Sequence, residues 1–346
     1  MIDFKEIKSV YFIGIGGIGI SAIARMMLLE GKKVAGSDRS ASIITDELKK
    51  VPDAKAEAGG AKIFIGHDAK NIPKDCDLVI YTIAIPESNP ELVEARKRKI
   101  PMLTYPEALG IISKDKFTIA VSGTHGKTTT TAMIGKMMID AGLDPTVIVG
   151  SLMNDTKSNF VVGKSKYFVV ESCEYHRSFL NISPKIIVIT NIDNDHLDYY
   201  KDLVDIQSAF SEFVSKLGVD DFLITNSKDK NIGPVVKYAE SGCRIVDYSK
   251  LGHSVSKLKL KVFGKHNIEN AKAALALAEV LGIDENIAIT SLNNFSGTWR
   301  RFEYKGKTQH GANVYDDYGH HPTEIRATLS GVRDHFGDKR IVVIFQ

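Results

Sequence analysis

A glycine-containing loop followed by a lysine and threonines is the part of the sequence best suited to chemistry. It follows a β-like run at 117–121 and precedes a helix-like run at 129–141. Glycines let backbone N–H groups approach phosphate oxygens, and a helix N-terminus adds partial positive charge. We therefore predict that this loop binds the phosphates of a nucleotide. The loop consists of Gly123, Thr124, His125, Gly126, Lys127, Thr128 and Thr129.

Two side chains at the end of this loop suit an ATP site in particular. Lys127 can reach the terminal phosphates, and the hydroxyl of Thr128 can bind Mg²⁺. The loop is shorter than the general phosphate-loop pattern, which has glycine where Val121 stands. A loop without a ligand is the alternative interpretation, but the flanking strand and helix favour ATP.

Acidic residues follow two further β-like runs. Glu171 ends the run at 167–171, and His196 lies among aspartates after the run at 185–190. Carboxylates at the C-terminal ends of parallel strands lie where nucleotides bind, and Mg²⁺ commonly takes one or two of them. We predict Glu171 as a magnesium ligand, with Glu174 the less favoured acid, and His196 near a metal. The alternatives are a solvated acid and a structural histidine; the spacing does not match a zinc site.

A second glycine pattern lies near the N-terminus, after the strand-like run at 9–13. With an acid nineteen residues after its last glycine, it matches a dinucleotide fingerprint. Three interpretations remain: an NAD site with the acid on a ribose, a tight turn without a ligand, or a site for the diphosphate of another nucleotide. The residues concerned are Gly14, Gly16, Gly17, Gly19 and Asp38.

Polar residues in the last third of the chain suggest further contacts. Asn267 and Asn270 could present a donor and an acceptor to an adenine edge, or Asn267 could cap a helix. Arg300 and Arg301 could clamp a γ-phosphate or form an interdomain ion pair. The run at 316–322 is too polar for a core, so it is either part of a site or an exposed turn.

Composition limits the function classes. The chain has 346 residues and a formal net charge of +3, from 45 basic and 42 acidic residues. That balance gives no case for nucleic acid or a membrane surface as partner. Three widely spaced cysteines indicate reduced thiols, and neither a membrane span nor a signal peptide is apparent. We therefore expect a cytoplasmic protein.

Strand-like and helix-like runs alternate along the chain, which predicts an α/β fold with mostly parallel sheets. We expect three parts, at 1–111, 112–298 and 299–346, with a possible edge hairpin at 258–263. The third part reads as strand 313–316, helix 323–335 and strand 340–345. So short a unit cannot bury both faces of a parallel sheet. We expect that most of a third domain is missing and that the part after Trp299 is mobile.

Taken together, the motifs resemble those of the Mur ligases of peptidoglycan synthesis. The resemblance covers the whole chain in order and rests on GIGGIGISAIA, GTHGKTTTT, ESCEYHRSFL, NIDNDHLDYY, GKHNIENAKAALALA, GTWRRFE and YDDYGHHPTEI. It implies an N-terminal Rossmann-like domain, a central P-loop-type ATPase domain with a parallel sheet, and an incomplete C-terminal Rossmann-like domain. The first domain would bind a UDP-sugar, so the Gly14–Gly19 turn would serve a UDP diphosphate rather than NAD.

The resemblance also implies residue roles. Lys127 would hold the β- and γ-phosphates and Arg301 the γ-phosphate. Thr128 with Glu171 would bind one Mg²⁺, and His196 a second. Adenine would meet Asn267 and Asn270. The nucleotide and amino-acid side of the closed site would be lined by Asp317, Tyr318 and His320 or His321.

The implied reaction is the joining of L-alanine to the lactyl carboxylate of UDP-N-acetylmuramate through an acyl phosphate, driven by ATP. Because of the short third part, we expect the chain to bind nucleotides but to ligate poorly. A peptide-recycling ligase of the same family, a non-catalytic nucleotide-binding remnant and an NAD oxidoreductase are the alternatives.

Overall fold

The computed structural model describes residues 2–51, 60–239 and 242–345. Met1 and Gln346, the outer limits of the predicted parts, lie outside the described residues. The N-terminal part is an α/β unit with one five-stranded sheet. Its elements are β1 (Ser9–Ile13), α1 (Ile18–Leu29), β2 (Lys33–Asp38), α2 (Ile43–Lys50), β3 (Lys62–Ile65), β4 (Leu78–Tyr81), α3 (Pro90–Lys97), β5 (Met102–Thr104) and α4 (Tyr105–Lys114).

The five strands are all parallel, in the order β3-β2-β1-β4-β5. Central strand β1 is buried along its whole length, as expected for a parallel strand with helices on both faces. The chain order reverses between β1 and β4, and such a reversal opens a crevice at the C-terminal ends of the strands. The Gly14–Gly19 turn leaves β1 at that point.

The central part carries a seven-stranded sheet. Its elements are β6 (Phe117–Ser122), α5 (Lys127–Asp140), β7 (Thr146–Ile148), β8 (Phe160–Val161), β9 (Tyr167–Glu171), β10 (Ile186–Ile189), α6 (Leu203–Val214), β11 (Phe222–Thr225), α7 (Gly233–Ala239), β12 (Arg244–Asp247), α8 (His253–Ser256), α9 (Lys265–Leu281) and α10 (Glu285–Asn294). The strand order is β12-β11-β10-β6-β9-β7-β8, and only β8 is antiparallel to its neighbour.

Strand β6 lies at the centre of this sheet, between β9 and β10. The phosphate loop, Glu171 and the run at 190–198 follow these three neighbouring strands, so the topology brings them to one edge of the sheet. Helix α5 packs against the alanine-rich helix α9 and against α10, where Met133 and Met137 are fully buried. This packing fixes the direction in which the N-terminus of α5 points.

The part after Trp299 differs from the prediction. It contains an antiparallel hairpin of β13 (Glu303–Lys307) and β14 (Asn313–Asp316), followed by α11 (Pro322–Phe336). Strand 313–316 and the helix were predicted, but the strand predicted at 340–345 was wrong. Within the described residues no partner strand pairs with this run, and Ile344 is 93% exposed, so its backbone lacks the ladder bonds that define a strand.

Two other predictions need correction. The run at 258–263 forms no hairpin; its leucines pack against the apolar core beneath α9 and α10, and Lys259 N–H donates to the Asn293 side chain at 2.6 Å. Helix α9 begins at Lys265, after Gly264, so Asn267, predicted as a possible cap, lies inside the first turn of the helix. Among the described residues, no helix combines the length and the apolar character that a membrane span requires.

Candidate active site

The phosphate loop depends on two glycines in left-handed backbone conformations. Gly123 has φ of +128° and Gly126 has φ of +83°, values that disfavour residues with a Cβ. A Cβ on Gly126 would also lie 2.5 Å from Asn270 Oδ1. Helix α5 begins directly after Gly126, and within the described chain no side chain caps its first turn. The N–H groups of that turn therefore remain free to bind an anion.

The end of β10 holds the loop in place. Asn191 brackets the backbone of His125, since its Oδ1 accepts from His125 N–H and its Nδ2 donates to His125 C=O, both at 2.9 Å. The Thr190 hydroxyl donates to the same carbonyl at 2.6 Å. Sequence reasoning missed this role of Thr190 and Asn191. Two polar residues directly after a buried strand were the available signal.

The Lys127 side chain is anchored inside the loop. Its ammonium donates to the carbonyls of Gly123 at 2.6 Å and Thr124 at 3.0 Å, and to Glu174 Oε1 at 3.0 Å. Burial lowers the pKa of Lys127, but the acidic groups around it, Glu174 first and then Cys173 and Glu171, together outweigh this effect and leave the pKa above its ordinary value. Lys127 is thus a charged donor at the base of the phosphate loop.

The predicted magnesium ligands form two separate groups: Thr128 contacts Glu171, and His196 lies near Glu174. The Thr128 hydroxyl donates to Glu171 Oε1 at 2.9 Å, and Glu171 Oε2 accepts from Gly150 N–H at 2.6 Å. His196 Nε2 lies 3.8 Å from Glu174 Oε1, and its ring stacks on Tyr175.

Glu174 is more central than the sequence suggested. It is only 2% exposed, contacts both Lys127 and His196, and its Oε2 is buried without a hydrogen bond among the described residues. A buried carboxylate oxygen without a partner is costly. Together with the hydroxyl of Thr128 and the carboxylate of Glu171, this set of hard oxygen donors fits Mg²⁺.

A cavity of about 430 Å³ opens beside the loop, between the edge of the central sheet, α9 and α11. Asn267 and Asn270 line it and are hydrogen-bonded to each other, with Asn270 Nδ2 donating to Asn267 Oδ1 at 3.2 Å. Asn267 does not cap α9, because its Oδ1 accepts from the Asn270 side chain, and its Nδ2 donates to Phe263 C=O at 2.6 Å. The aromatic side chains of Tyr248 and Phe263 complete this end of the cavity.

Residues of the third part line the opposite wall. Arg301 is in the cavity wall, 3.6 Å from Glu324 Oε1, which also lies 3.4 Å from His125 Nδ1. Burial raises the pKa of Glu324, but the contact with His125 and the charge of Arg301 outweigh it and lower the pKa to about 2. Arg300 instead pairs with Asp316 at 3.2 Å. Sequence reasoning did not identify Glu324, since only the fold brings α11 to the loop.

The other predicted residues of the third part lie at or near this wall. Asp317 lines the cavity and accepts from Phe302 N–H at 2.8 Å. Tyr318 is half exposed, with its ring 5.7 Å from the guanidinium of Arg301. His320 is exposed, whereas His321 contacts the carbonyl of Asn194 at 3.1 Å.

The N-terminal glycine turn is a separate site. Gly16 N–H donates to Asp38 Oδ2 at 2.8 Å, so the acid is tied to the turn. Gly14 has φ of +80°, and a Cβ on Gly19 would lie 2.6 Å from the ring of Tyr105. Gly17 precedes α1. The turn is therefore closely packed at the end of β1.

A second cavity, of about 300 Å³, connects this turn with the central part. Gly19 and Tyr105 line one side, while Glu171 and Cys173 line the other. Glu171 therefore lines the second cavity, and it accepts a hydrogen bond from Thr128, which lines the first. The structure thus places the predicted metal-binding acid where the two cavities approach each other.

Comparison with known proteins identifies the family. Three family models match in order: the Mur ligase family catalytic domain at residues 9–117, the Mur ligase middle domain at 121–278, and the Mur ligase glutamate ligase domain at 300–346. The UDP-N-acetylmuramate–L-alanine ligase of Clostridium acetobutylicum is 42% identical over 98% of this chain and 77% of its own length. That of Clostridium tetani is 43% identical over 99% of this chain and 78% of its own.

Solved structures agree with these matches. The UDP-N-acetylmuramate-alanine ligase MurC of Thermotoga maritima superimposes with a TM-score of 0.81 at 32% identity, covering 99% of this chain and 81% of that one. A murein peptide ligase from Psychrobacter arcticus shares the fold, with a TM-score of 0.77 at 23% identity over 96% of this chain and 77% of that one. All of these matches are to ligases, so they do not support an NAD oxidoreductase. The chain belongs to the Mur ligase family.

Proposed function

We propose that the protein joins L-alanine to the lactyl carboxylate of UDP-N-acetylmuramate, using ATP. The observation that carries this proposal is the position of Glu171. It lines the cavity that reaches the N-terminal glycine turn and bonds Thr128 of the phosphate loop. A sugar nucleotide anchored at the turn could thus present its carboxylate to the γ-phosphate of ATP lying on the loop.

The phosphate loop supports the ATP part of the proposal. The free N–H groups at the start of α5 and the ammonium of Lys127 suit a triphosphate. Asn267 and Asn270 provide amide donors and acceptors for an adenine edge, between Tyr248 and Phe263. Arg301, in the opposite wall, would bind the γ-phosphate in place of its present partner, Glu324.

The reaction proceeds in two steps. A carboxylate oxygen of the sugar nucleotide attacks the γ-phosphorus, the bond to the bridging oxygen breaks, and ADP leaves with an acyl phosphate in place. The amine of L-alanine then attacks the acyl carbon, inorganic phosphate leaves with the electron pair, and the amine loses a proton. The chain contributes position and charge rather than a covalent bond, with Lys127 and Arg301 meeting the negative charge that moves between phosphates.

Thr128 and Glu171 would hold one Mg²⁺, and His196 would hold a second, with Glu174 beside His196 as a further oxygen ligand. When bound, magnesium would supply charge neutralisation on the phosphate oxygens. Glu174 also fixes the Lys127 ammonium at 3.0 Å, so the cation is already oriented in this structure.

The three free cysteines support a reducing, cytoplasmic location.

The peptide-recycling alternative is less favoured. The relatives at 42–43% identity are named for L-alanine, whereas the murein peptide ligase from Psychrobacter arcticus is 23% identical. Incubation with ATP, UDP-N-acetylmuramate and either L-alanine or the tripeptide L-alanyl-γ-D-glutamyl-diaminopimelate distinguishes the two, with products identified by mass spectrometry.

The proposal predicts a product from L-alanine and little or none from the tripeptide. A product with the tripeptide as acceptor and none with L-alanine would overturn the choice of acceptor. The first step is tested separately with hydroxylamine in place of the amino acid, since hydroxylamine converts an acyl phosphate to a hydroxamate. No hydroxamate and no ADP release with UDP-N-acetylmuramate and ATP would overturn the ligase activity proposed for this chain.

A further inference from the structure

Three metal-ligating side chains from separate segments meet at the edge of the nucleotide cavity. His125 belongs to the phosphate loop, Asp193 to the loop after β10, and His321 caps the N-terminus of α11. One donor atom from each residue lies within 4.8 Å of the other two. None of the three belongs to the magnesium ligands proposed above. No zinc-like spacing marks these three residues, because their segments are far apart in the chain.

His125 has the surroundings of a metal ligand. Its Nε2 is buried, makes no hydrogen bond within the described residues, and lies 3.5 Å from Asp193 Oδ2. Its other ring nitrogen, Nδ1, lies 3.4 Å from Glu324 Oε1. Metal-ligating histidines usually place the second ring nitrogen on a carboxylate, which fixes the tautomer and the ring orientation. Glu324 is in position to do this for His125.

The distances suit a small tetrahedral ion. Bonds of about 2.0–2.2 Å around such an ion place its donor atoms about 3.3–3.6 Å apart, and His125 and Asp193 already meet this separation. His321 completes the set from the other side, with its ring centroid 4.8 Å from that of His125. It is half-buried and uses Nε2 for one contact with the Asn194 carbonyl at 3.1 Å. Its Nδ1 also accepts from Thr323 N–H at 3.2 Å. A metal on Nδ1 would replace that bond and leave Nε2–H on the Asn194 carbonyl, whereas a metal on Nε2 would replace both contacts.

We propose that His125, Asp193 and His321 form a site for a divalent transition metal. Two imidazoles and one carboxylate suit Zn²⁺, Co²⁺ or Ni²⁺, whereas Mg²⁺ prefers oxygen ligands. The ion would join α11 to the phosphate loop. The same two elements already meet through Thr323, whose hydroxyl donates to Asp193 Oδ2 at 2.9 Å. A bound metal would therefore hold the third part against the nucleotide cavity.

Titration of the nucleotide-free chain with Co²⁺, followed by its visible absorption, tests the site directly. Loss of even an outer partner of a metal ligand weakens binding about 10–100-fold, so His321→Ala and Asp193→Asn should each weaken Co²⁺ binding at least about tenfold. His310→Ala is the control that should bind Co²⁺ as the unaltered chain does, because it removes an exposed imidazole elsewhere in the third part. Glu171→Gln is a separate probe of whether Co²⁺ binds at the proposed magnesium site.

The thermal unfolding of each variant checks that it remains folded. His321 is accessible and caps only the N-terminus of α11, so His321→Ala should still fold. Asp193→Asn should also fold, because asparagine keeps the shape of the aspartate side chain. Equal Co²⁺ affinity in the unaltered chain and in both cluster variants would overturn the proposal, as would the absence of any spectral change on titration. Loss of Co²⁺ binding in Glu171→Gln alone would assign the ion to the proposed magnesium site instead.

Discussion

The Lys127 ammonium lies 3.0 Å from Glu174 Oε1, and both side chains are largely buried, at 14% and 2% exposure. Lys127 also donates to two loop carbonyls, so its position is set by the fold alone. A phosphate arriving at the loop therefore meets a cation that needs little reorganisation. The arrangement also implies that Glu174 contributes to stability.

Glu174→Gln should lower the free energy of unfolding by about 1–3 kcal/mol, because it weakens a charge-assisted bond to a buried ammonium. Glu269→Gln is the matched control. Glu269 pairs with Lys272 on the surface of α9 and is 43% exposed, so its loss should cost no more than about 0.5 kcal/mol. Urea unfolding of the two variants measures both values. Equal destabilisation would show that burial does not strengthen the Lys127 pair.

Gly126→Ala should abolish nucleotide binding. The substitution adds a Cβ at a residue with φ of +83°, and that Cβ would lie 2.5 Å from Asn270 Oδ1. Gly142→Ala separates the two effects, since Gly142 has φ of +74° and nothing within 4 Å of the added Cβ. Both variants carry backbone strain of about 1–2 kcal/mol, but only the first disturbs the cavity.

Calorimetric titration with ATP compares the two glycine variants. Gly142→Ala should bind ATP as the unaltered chain does, at a lower melting temperature. Normal ATP affinity in Gly126→Ala would contradict the position assigned to the phosphate loop.

Thr128→Val should weaken binding of Mg²⁺–ATP about tenfold, through loss of one oxygen ligand and its bond to Glu171. ATP binding in the presence of a chelator should change little. Thr131→Val is the control on the same helix, because the Thr131 hydroxyl is buried and donates to Lys127 C=O at 2.8 Å. An equal effect of the two substitutions on Mg²⁺–ATP would argue against a metal contact at Thr128.

Glu324 gives a pH-dependent prediction. Its pKa in the folded chain is about 2, below the ordinary value of 4.5, so its stabilising contribution is present above pH 4.5 and is lost as the pH falls towards 2. Glu324→Gln should therefore melt at a lower temperature than the unaltered chain at pH 6, with the difference narrowing below pH 4.5. Melting curves at a series of pH values measure this. A difference in melting temperature that stays constant down to pH 3 would show that the ionised carboxylate of Glu324 is not what stabilises the chain.

The central sheet and its loop were predictable because the signals are local. An apolar run followed by glycines and Lys127 defines strand, loop and helix within about twenty residues. Glu171 was found because it ends such a run. The contacts of Glu174 and Glu324 were not predictable, since they join segments that are distant in the chain. Only the fold brings α11 to His125.

The strands of the third part were predicted less well, for a different reason. The strand β13 has the sequence Glu-Tyr-Lys-Gly-Lys, which lacks an apolar run and pairs only with β14. The run at 340–345 has an ideal strand composition, yet it is exposed and unpaired within the described residues. Strand formation depends on a neighbour as well as on propensity, and a single sequence does not reveal which neighbour is present.

The position of the triphosphate is tested by comparing the ATP affinities of Lys127→Met and Lys136→Met, measured by calorimetric titration in the presence of Mg²⁺. Both lysines belong to α5, but Lys136 pairs with Asp140 at 2.8 Å, away from the loop. We predict at least a tenfold loss of affinity, about 1.4 kcal/mol, for Lys127→Met and none for Lys136→Met. Unchanged ATP affinity in Lys127→Met would contradict the placement of the triphosphate on this loop and, with it, the proposed ligase reaction.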